Sequence, residues 1–161
     1  LHAEYSHQVW AIDFQFVPTM KERTLQFLNV TDASNWLCLA IRVGRRCRAA
    51  EVIDTIEELF KLYPPPPLLR MNNAPEFVAN ALQDWCAWSG YSTAYIPPGS
   101  PGEKPFMESF KDQYLDMNPE YSAVHREVDA KLLAEQHRVE YNTDRPHSAL
   151  QGRTCLEVIQ Q

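Results

Sequence analysis

No two cysteines in this sequence are spaced C-x-x-C; Cys38, Cys47, Cys86 and Cys155 stand well apart. That spacing argues against a zinc site or a disulfide framework and favours a reducing cytosol. No apolar run approaches the roughly 18–20 residues of a membrane span, and no signal-peptide pattern opens the chain. An excess of basic charge is lacking too: 15 Lys and Arg face 21 Asp and Glu, for a net −6. This balance argues against a free-standing nucleic-acid binder, whose affinity comes largely from neutralised phosphates. It leaves room for an enzyme that acts on nucleic acid through metal ions, because such sites are clusters of carboxylates. Most of the binding would then come from another domain or subunit. There is no internal repeat and no flexible linker. The chain begins at Leu1 without a Met, which reads as a fragment of something longer.

What is present is a globular composition. Hydrophobic residues make up 45% of the 161, with four Trp and seven each of Tyr and Phe, enough for one domain, residues 1–161, with a sizeable core. Val9 to Val17 is an apolar run broken by a single Asp and reads as a central strand. Thr24 to Val30 and Trp36 to Val43 follow across short turns, as an antiparallel meander would. Ala49, Val52, Ile53, Ile56, Leu59 and Phe60 then recur at helical spacing, predicting a helix over Arg48 to Leu62 that Pro64 to Pro67 stop. Leu68 to Met71 reads as a short buried strand. Phe77, Ala81, Leu82, Trp85 and Trp88 mark a second helix with both Trp in the core, ended by Gly90. Ser92 to Ile96 is a fifth strand. The helical period returns from Phe106, and a last helix runs from about Ser122 to Tyr141 with Val124, Val128, Leu132 and Val139 as its apolar stripe. The expected architecture is α/β: a five-stranded mixed sheet, three antiparallel strands first, with helices on both faces.

The stretch Leu68 to Phe77, L-L-R-M-N-N-A-P-E-F, reads as a buried strand that ends at a site and hands over to a helix. Strand ends are where ligands collect in such sheets. Asp13 lies within an apolar strand, where an unpaired carboxylate is costly to bury; a solvated or hydrogen-bonded strand-end Asp is the plainer reading. Glu108 lies at a predicted helix start, where the helix dipole alone would favour an acid. Taken separately, neither points to chemistry.

Taken in order, four motifs do. Trp10 to Phe14 (W-A-I-D-F), Arg70 to Phe77 (R-M-N-N-A-P-E-F), Ser100 to Phe110 (S-P-G-E-K-P-F-M-E-S-F) and Tyr141 to Leu150 (Y-N-T-D-R-P-H-S-A-L) resemble the catalytic core of bacterial insertion-sequence transposases. These belong to the DDE class, which shares a ribonuclease-H-like fold with retroviral integrases. The resemblance runs from Trp10 to about Val158, and the 35 residues between Asn72 and Glu108 (positions 73 to 107) match the family's spacing from second Asp to Glu.

The resemblance implies a metal-dependent reaction on double-stranded DNA, both element ends and target. Two Mg²⁺ or Mn²⁺ ions roughly 3.5–4 Å apart clamp the attacking and leaving oxygens of a phosphodiester displacement, held by Asp13, position 72 and Glu108. Water first frees a 3′-hydroxyl, which then attacks target DNA, so no covalent nucleophile is needed. Lys104, Lys111, Arg145 and His147 are the DNA-contact candidates, although the last two can equally fasten the final segment. The resemblance further implies a homo-oligomer, a dimer or larger, in a bacterial cytoplasm, with no membrane. The family's upstream helix-turn-helix region has no counterpart here.

Departures from the pattern fall at the proposed chemistry. Asn72 replaces the second Asp, Ala74 a Gly, Lys104-Pro105 an Asn-Gly, and Cys155 a Pro. An amide oxygen can ligate a hard cation but brings no charge. Two carboxylates must then offset two dications, and the second metal site should be weak and catalysis impaired. Asp112, one turn beyond Glu108, reads as a solvated carboxylate. Arg42, Arg45, Arg46 and Arg48 form a basic turn that can meet phosphate or simply lie exposed. Two alternatives stay open: an inactive remnant serving as a dimerisation or DNA-binding module, and a ribonuclease-H-like nuclease that cuts without joining.

Overall fold

The computed structural model describes residues 4–18, 24–72, 80–96, 127–143, 151–154 and 157. Within them lie β1 (Val9–Pro18), β2 (Thr24–Asp32), β3 (Cys38–Gly44), α1 (Ala49–Phe60), β4 (Leu68–Asn72), α2 (Asn80–Ser89), β5 (Ser92–Ile96) and α3 (Glu127–Thr143). The strands form one sheet in the order β3-β2-β1-β4-β5. The first three strands are antiparallel, whereas β4 runs parallel to both β1 and β5. The five-stranded mixed sheet expected from the sequence is therefore present. The helix expected from Phe106 lies outside the described residues. No helix among the described residues is long and apolar enough to cross a membrane.

Period-2 alternation sorts β1 between two cores. Trp10, Ile12 and Phe14 are buried with Leu28 and Val30 against Val52, Ile56 and Leu59 of α1, which face the sheet at helical spacing. The opposite face carries a second cluster, where Leu25, Phe27 and Val43 meet Ala130 and Ala134 of α3. Helices thus cover both faces. The Arg48 backbone N–H donates to the Glu51 carboxylate at 2.8 Å, which satisfies one orphan donor at the start of α1. At the end of α2, Tyr91 N–H donates to the Cys86 carbonyl and Gly90 N–H to that of Ala87. Gly90 has φ +79°, the left-handed conformation this stop requires.

Two expectations about faces fail. Trp88 is 88% exposed and not in the core; Trp85 stacks on Phe60, lies beside Tyr91 and donates its indole N–H to Glu57. On α3, Leu132 is 68% and Val139 45% exposed, and the buried residues are Ala130, Ala134, His137, Tyr141 and Asn142. Ala130 and Ala134 are the residues of the helix that pack with Leu25, Phe27 and Val43 of the sheet. Val124 lies outside the described residues.

The start of β3 lies two residues later than expected because Trp36 (φ 65°) belongs to the turn that follows Asp32. Asp32 is fully buried, and its carboxylate accepts from His7 N–H, Ser34 N–H and Oγ, and Asn35 Nδ2. Those donors offset the cost of burying the carboxylate. They also tie the segment before β1 to the β2–β3 turn.

Candidate functional site

Asp13 sits on the central strand. Across one interface its Cα partner is Asn29 on β2. Across the other, the parallel ladder pairs Ile12 with Met71, so the next position on each strand is Asp13 and Asn72 respectively. Neighbouring strands lie about 4.8 Å apart, so the backbone of Asn72 runs beside that of Asp13 where β4 ends. The sequence separates these positions by 58 residues (13 to 72, exclusive); the crossover through α1 brings them together. Asp13 is half-buried, and its Oδ1 accepts the Phe14 backbone N–H at 2.8 Å, which fixes one carboxylate oxygen.

The sheet face that carries Asp13 also holds two buried amides missed in the sequence. Asn29 is 1% exposed directly across from Asp13, and Gln15 is 2% exposed two positions further along β1. Neither amide atom of Gln15 has a hydrogen-bond partner among the described residues. The available signal was the pair of polar residues at every second position of an otherwise apolar strand, Asp13 and then Gln15. A half-buried carboxylate flanked by amide oxygens is a hard-oxygen environment, the type that suits Mg²⁺ or Mn²⁺. Among the described residues no group of three His, Cys, Asp or Glu side chains could hold a metal ion. Glu108, Asp112, Lys104, Lys111, Arg145 and His147 lie outside those residues.

Of the tail motif, Tyr141 to Thr143 are described, and two of these residues have structural roles. Tyr141 is buried in the main core. Asn142 presents its amide to the outward peptide groups of β3: Cys38 N–H donates to Asn142 Oδ1 at 2.9 Å, and Asn142 Nδ2 donates to the Cys38 carbonyl at 2.8 Å. One side-chain amide thereby continues the ladder where the sheet ends and fastens α3 to the edge strand.

A mixed five-stranded sheet in the order β3-β2-β1-β4-β5 with helices on both faces is the ribonuclease-H-like fold. The integrase core domain family matches residues 3–101, and a second family of the same description matches residues 89–154. The chain belongs to the integrase core domain family, the family of integrase and transposase catalytic cores. An uncharacterised 31.7 kDa protein of insertion element IS407 from Burkholderia multivorans is 27% identical over 146 residues, 89% of this chain and 52% of that protein. The chain spans about half the length of the curated relatives it matches. Among solved structures, the simian T-cell lymphotropic virus intasome in complex with the PP2A regulatory subunit B56 gamma superposes with TM-score 0.76 at 12% identity, over 100% of this chain and 57% of that one. The HTLV-2 integrase catalytic core domain in complex with magnesium, in its trimeric form, gives TM-score 0.70 at 13% identity over 97% of this chain and 98% of that one. At such identities the two structures bear on the fold alone.

Proposed function

We propose that this chain is the catalytic core domain of a DNA transposase or integrase whose phosphodiester chemistry is impaired at Asn72. The observation that carries the reading is the β1–β4 register, which sets position 72 beside Asp13 in a chain of the integrase core family. Asp13, position 72 and Glu108 would hold the metal ions. Divalent cations, when bound there, supply Lewis-acid charge at the attacking and leaving oxygens of a phosphodiester.

The chain's own residues set how well that works. Asp13 contributes a negative oxygen anchored on the central strand, with Oδ1 oriented by the Phe14 N–H. Asn72 contributes a neutral amide, so with Glu108 the site carries two negative charges where the family's pattern has three. The weaker charge lowers metal affinity and catalysis together. Lys104, Lys111, Arg145 and His147 are assigned to the phosphates of element-end and target duplexes, and the active assembly is a dimer or larger. Support for metal, DNA and oligomer comes from the magnesium-bound trimeric core and the intasome among the structures of like fold.

The test is reversion. Asn72→Asp, with Mg²⁺ or Mn²⁺, should gain cleavage and joining of element-end duplexes over the unaltered chain. A folded Asn72→Asp protein without activity would overturn the single-lesion reading and favour a non-enzymatic module, to which Asn72 already lends weight. Hydrolysis of RNA–DNA hybrids without joining would instead indicate a nuclease.

A further inference from the structure

β3 is the edge of the sheet, and a groove of about 650 Å³ runs along it between α1 and α3. Four cations line it, Arg42, Arg45, Arg46 and Lys131, against two carboxylates, Glu51 and Glu58. Glu51 also accepts the Arg48 backbone N–H, and the groove keeps an excess of two positive charges. Arg42 is held in place by neutral groups, its Nη1 donating to the Glu51 carbonyl at 3.1 Å and to Thr55 Oγ1 at 3.2 Å. Arg45 and Arg46 are exposed, and among the described residues neither forms an ion pair. Residues 42–48 hold four arginines and no acid in a chain of net charge −6. The positive charge is therefore concentrated at this edge.

Register fixes where that edge lies. Ile41 pairs with Asn29, which pairs with Asp13, so the groove begins level with Asp13, two interstrand steps or roughly 10 Å away. The arginines continue toward the end of the sheet at which β4 stops. Guanidinium groups match phosphate oxygens in fixed, forked geometry, and a row of them on an open edge suits a polymer with evenly spaced charges.

We propose that the β3-edge groove binds the sugar–phosphate backbone of double-stranded DNA, as a contact surface separate from the Asp13 centre. This deepens the functional reading above and rests on it only for which duplex is bound; the binding itself needs no chemistry. The experiment is equilibrium binding of a mixed-sequence 30-base-pair duplex to the full chain in EDTA, titrated across KCl concentrations. Each phosphate neutralised adds about 0.9 to the steepness of log affinity against log salt. Arg45→Ala with Arg46→Ala should therefore lower that slope by about 1.8 and weaken binding at low salt by tenfold or more. Arg45→Lys with Arg46→Lys should restore most of the slope, and Lys61→Ala, at the exposed far end of α1, should leave it unchanged. An unchanged slope in a folded Arg45→Ala/Arg46→Ala protein would overturn the proposal. So would a change confined to sedimentation, which would assign the groove to a second copy of the chain. Because the titration is run in EDTA, with no divalent cation and no catalysis, loss of the catalytic reading and loss of this one are separately visible.

Discussion

Replacing Asn142 with Ala removes an amide that both donates to and accepts from the edge of the sheet. The two bonds it makes with Cys38, at 2.8 and 2.9 Å, lie where Cys38 is fully buried and Asn142 is 5% exposed. A buried hydrogen bond contributes about 0.5–1.5 kcal/mol net, and a group left without its partner costs about 1–3 kcal/mol. The Cys38 carbonyl keeps a long contact from Arg138 at 3.5 Å, so most of the penalty falls on the N–H side. The expected loss is about 2–3 kcal/mol, which for a chain of this size lowers the melting temperature by roughly 4–12 °C. Urea unfolding followed by circular dichroism measures it, with an unchanged slope expected if the unfolded state is unaffected. Asn142→Asp separates the two bonds: the carboxylate still accepts from Cys38 N–H but faces the Cys38 carbonyl with no proton to donate. It should destabilise at least as much as Ala at neutral pH and recover partly as the carboxylate is protonated. A loss under about 0.5 kcal/mol for Asn142→Ala would refute the view that Asn142 fastens α3 to the edge strand.

Three further outcomes follow from named groups. Gln15→Met exchanges a buried amide without partners among the described residues for an apolar chain of similar length, and should raise stability by about 1–3 kcal/mol in the same urea assay; destabilisation would show that the amide is satisfied in the folded protein. The Glu51 carboxyl is held below its usual range by its own backbone N–H and that of Arg48. Its contribution is therefore complete above the unfolded value of roughly 4.3 and is lost as pH falls through the lower folded value. Glu51→Gln should accordingly flatten the acid limb of the stability profile, and an unaltered limb would contradict the assignment. Ile56→Ala empties part of the main core and should cost about 2–5 kcal/mol by the same measurement.

The elements legible in the sequence are those whose burial follows hydrophobicity. β1 is a mostly apolar run and α1 carries a clean stripe, so both were readable with bounds close to those observed. The face of α3 was not, because its buried residues include Ala130, Ala134 and His137, while Leu132 and Val139 are exposed. Trp88 misled too, since it fell on the predicted stripe, yet the buried residues of α2 are Leu82 and Cys86 and Trp88 is exposed. Asn142 falls just past the predicted end of the last helix at Tyr141, and only the position of the β3 edge shows that its amide acts as a strand. The candidate site was legible as an order of motifs. Its geometry was not, because Asp13 meets position 72 only through the β1–β4 crossover register.

The central claim is that Asp13 and position 72 belong to one divalent-cation site. Manganese titration by electron paramagnetic resonance tests it on the unaltered chain, Asn72→Asp, Asp13→Asn and the double variant. The account predicts that Asn72→Asp tightens Mn²⁺ binding by about tenfold or more, about 1.4 kcal/mol. It also predicts that Asp13→Asn abolishes both the binding and that gain, since coupled ligands are not additive. Equal affinities across the four proteins, or a gain from Asn72→Asp that survives Asp13→Asn, would contradict it.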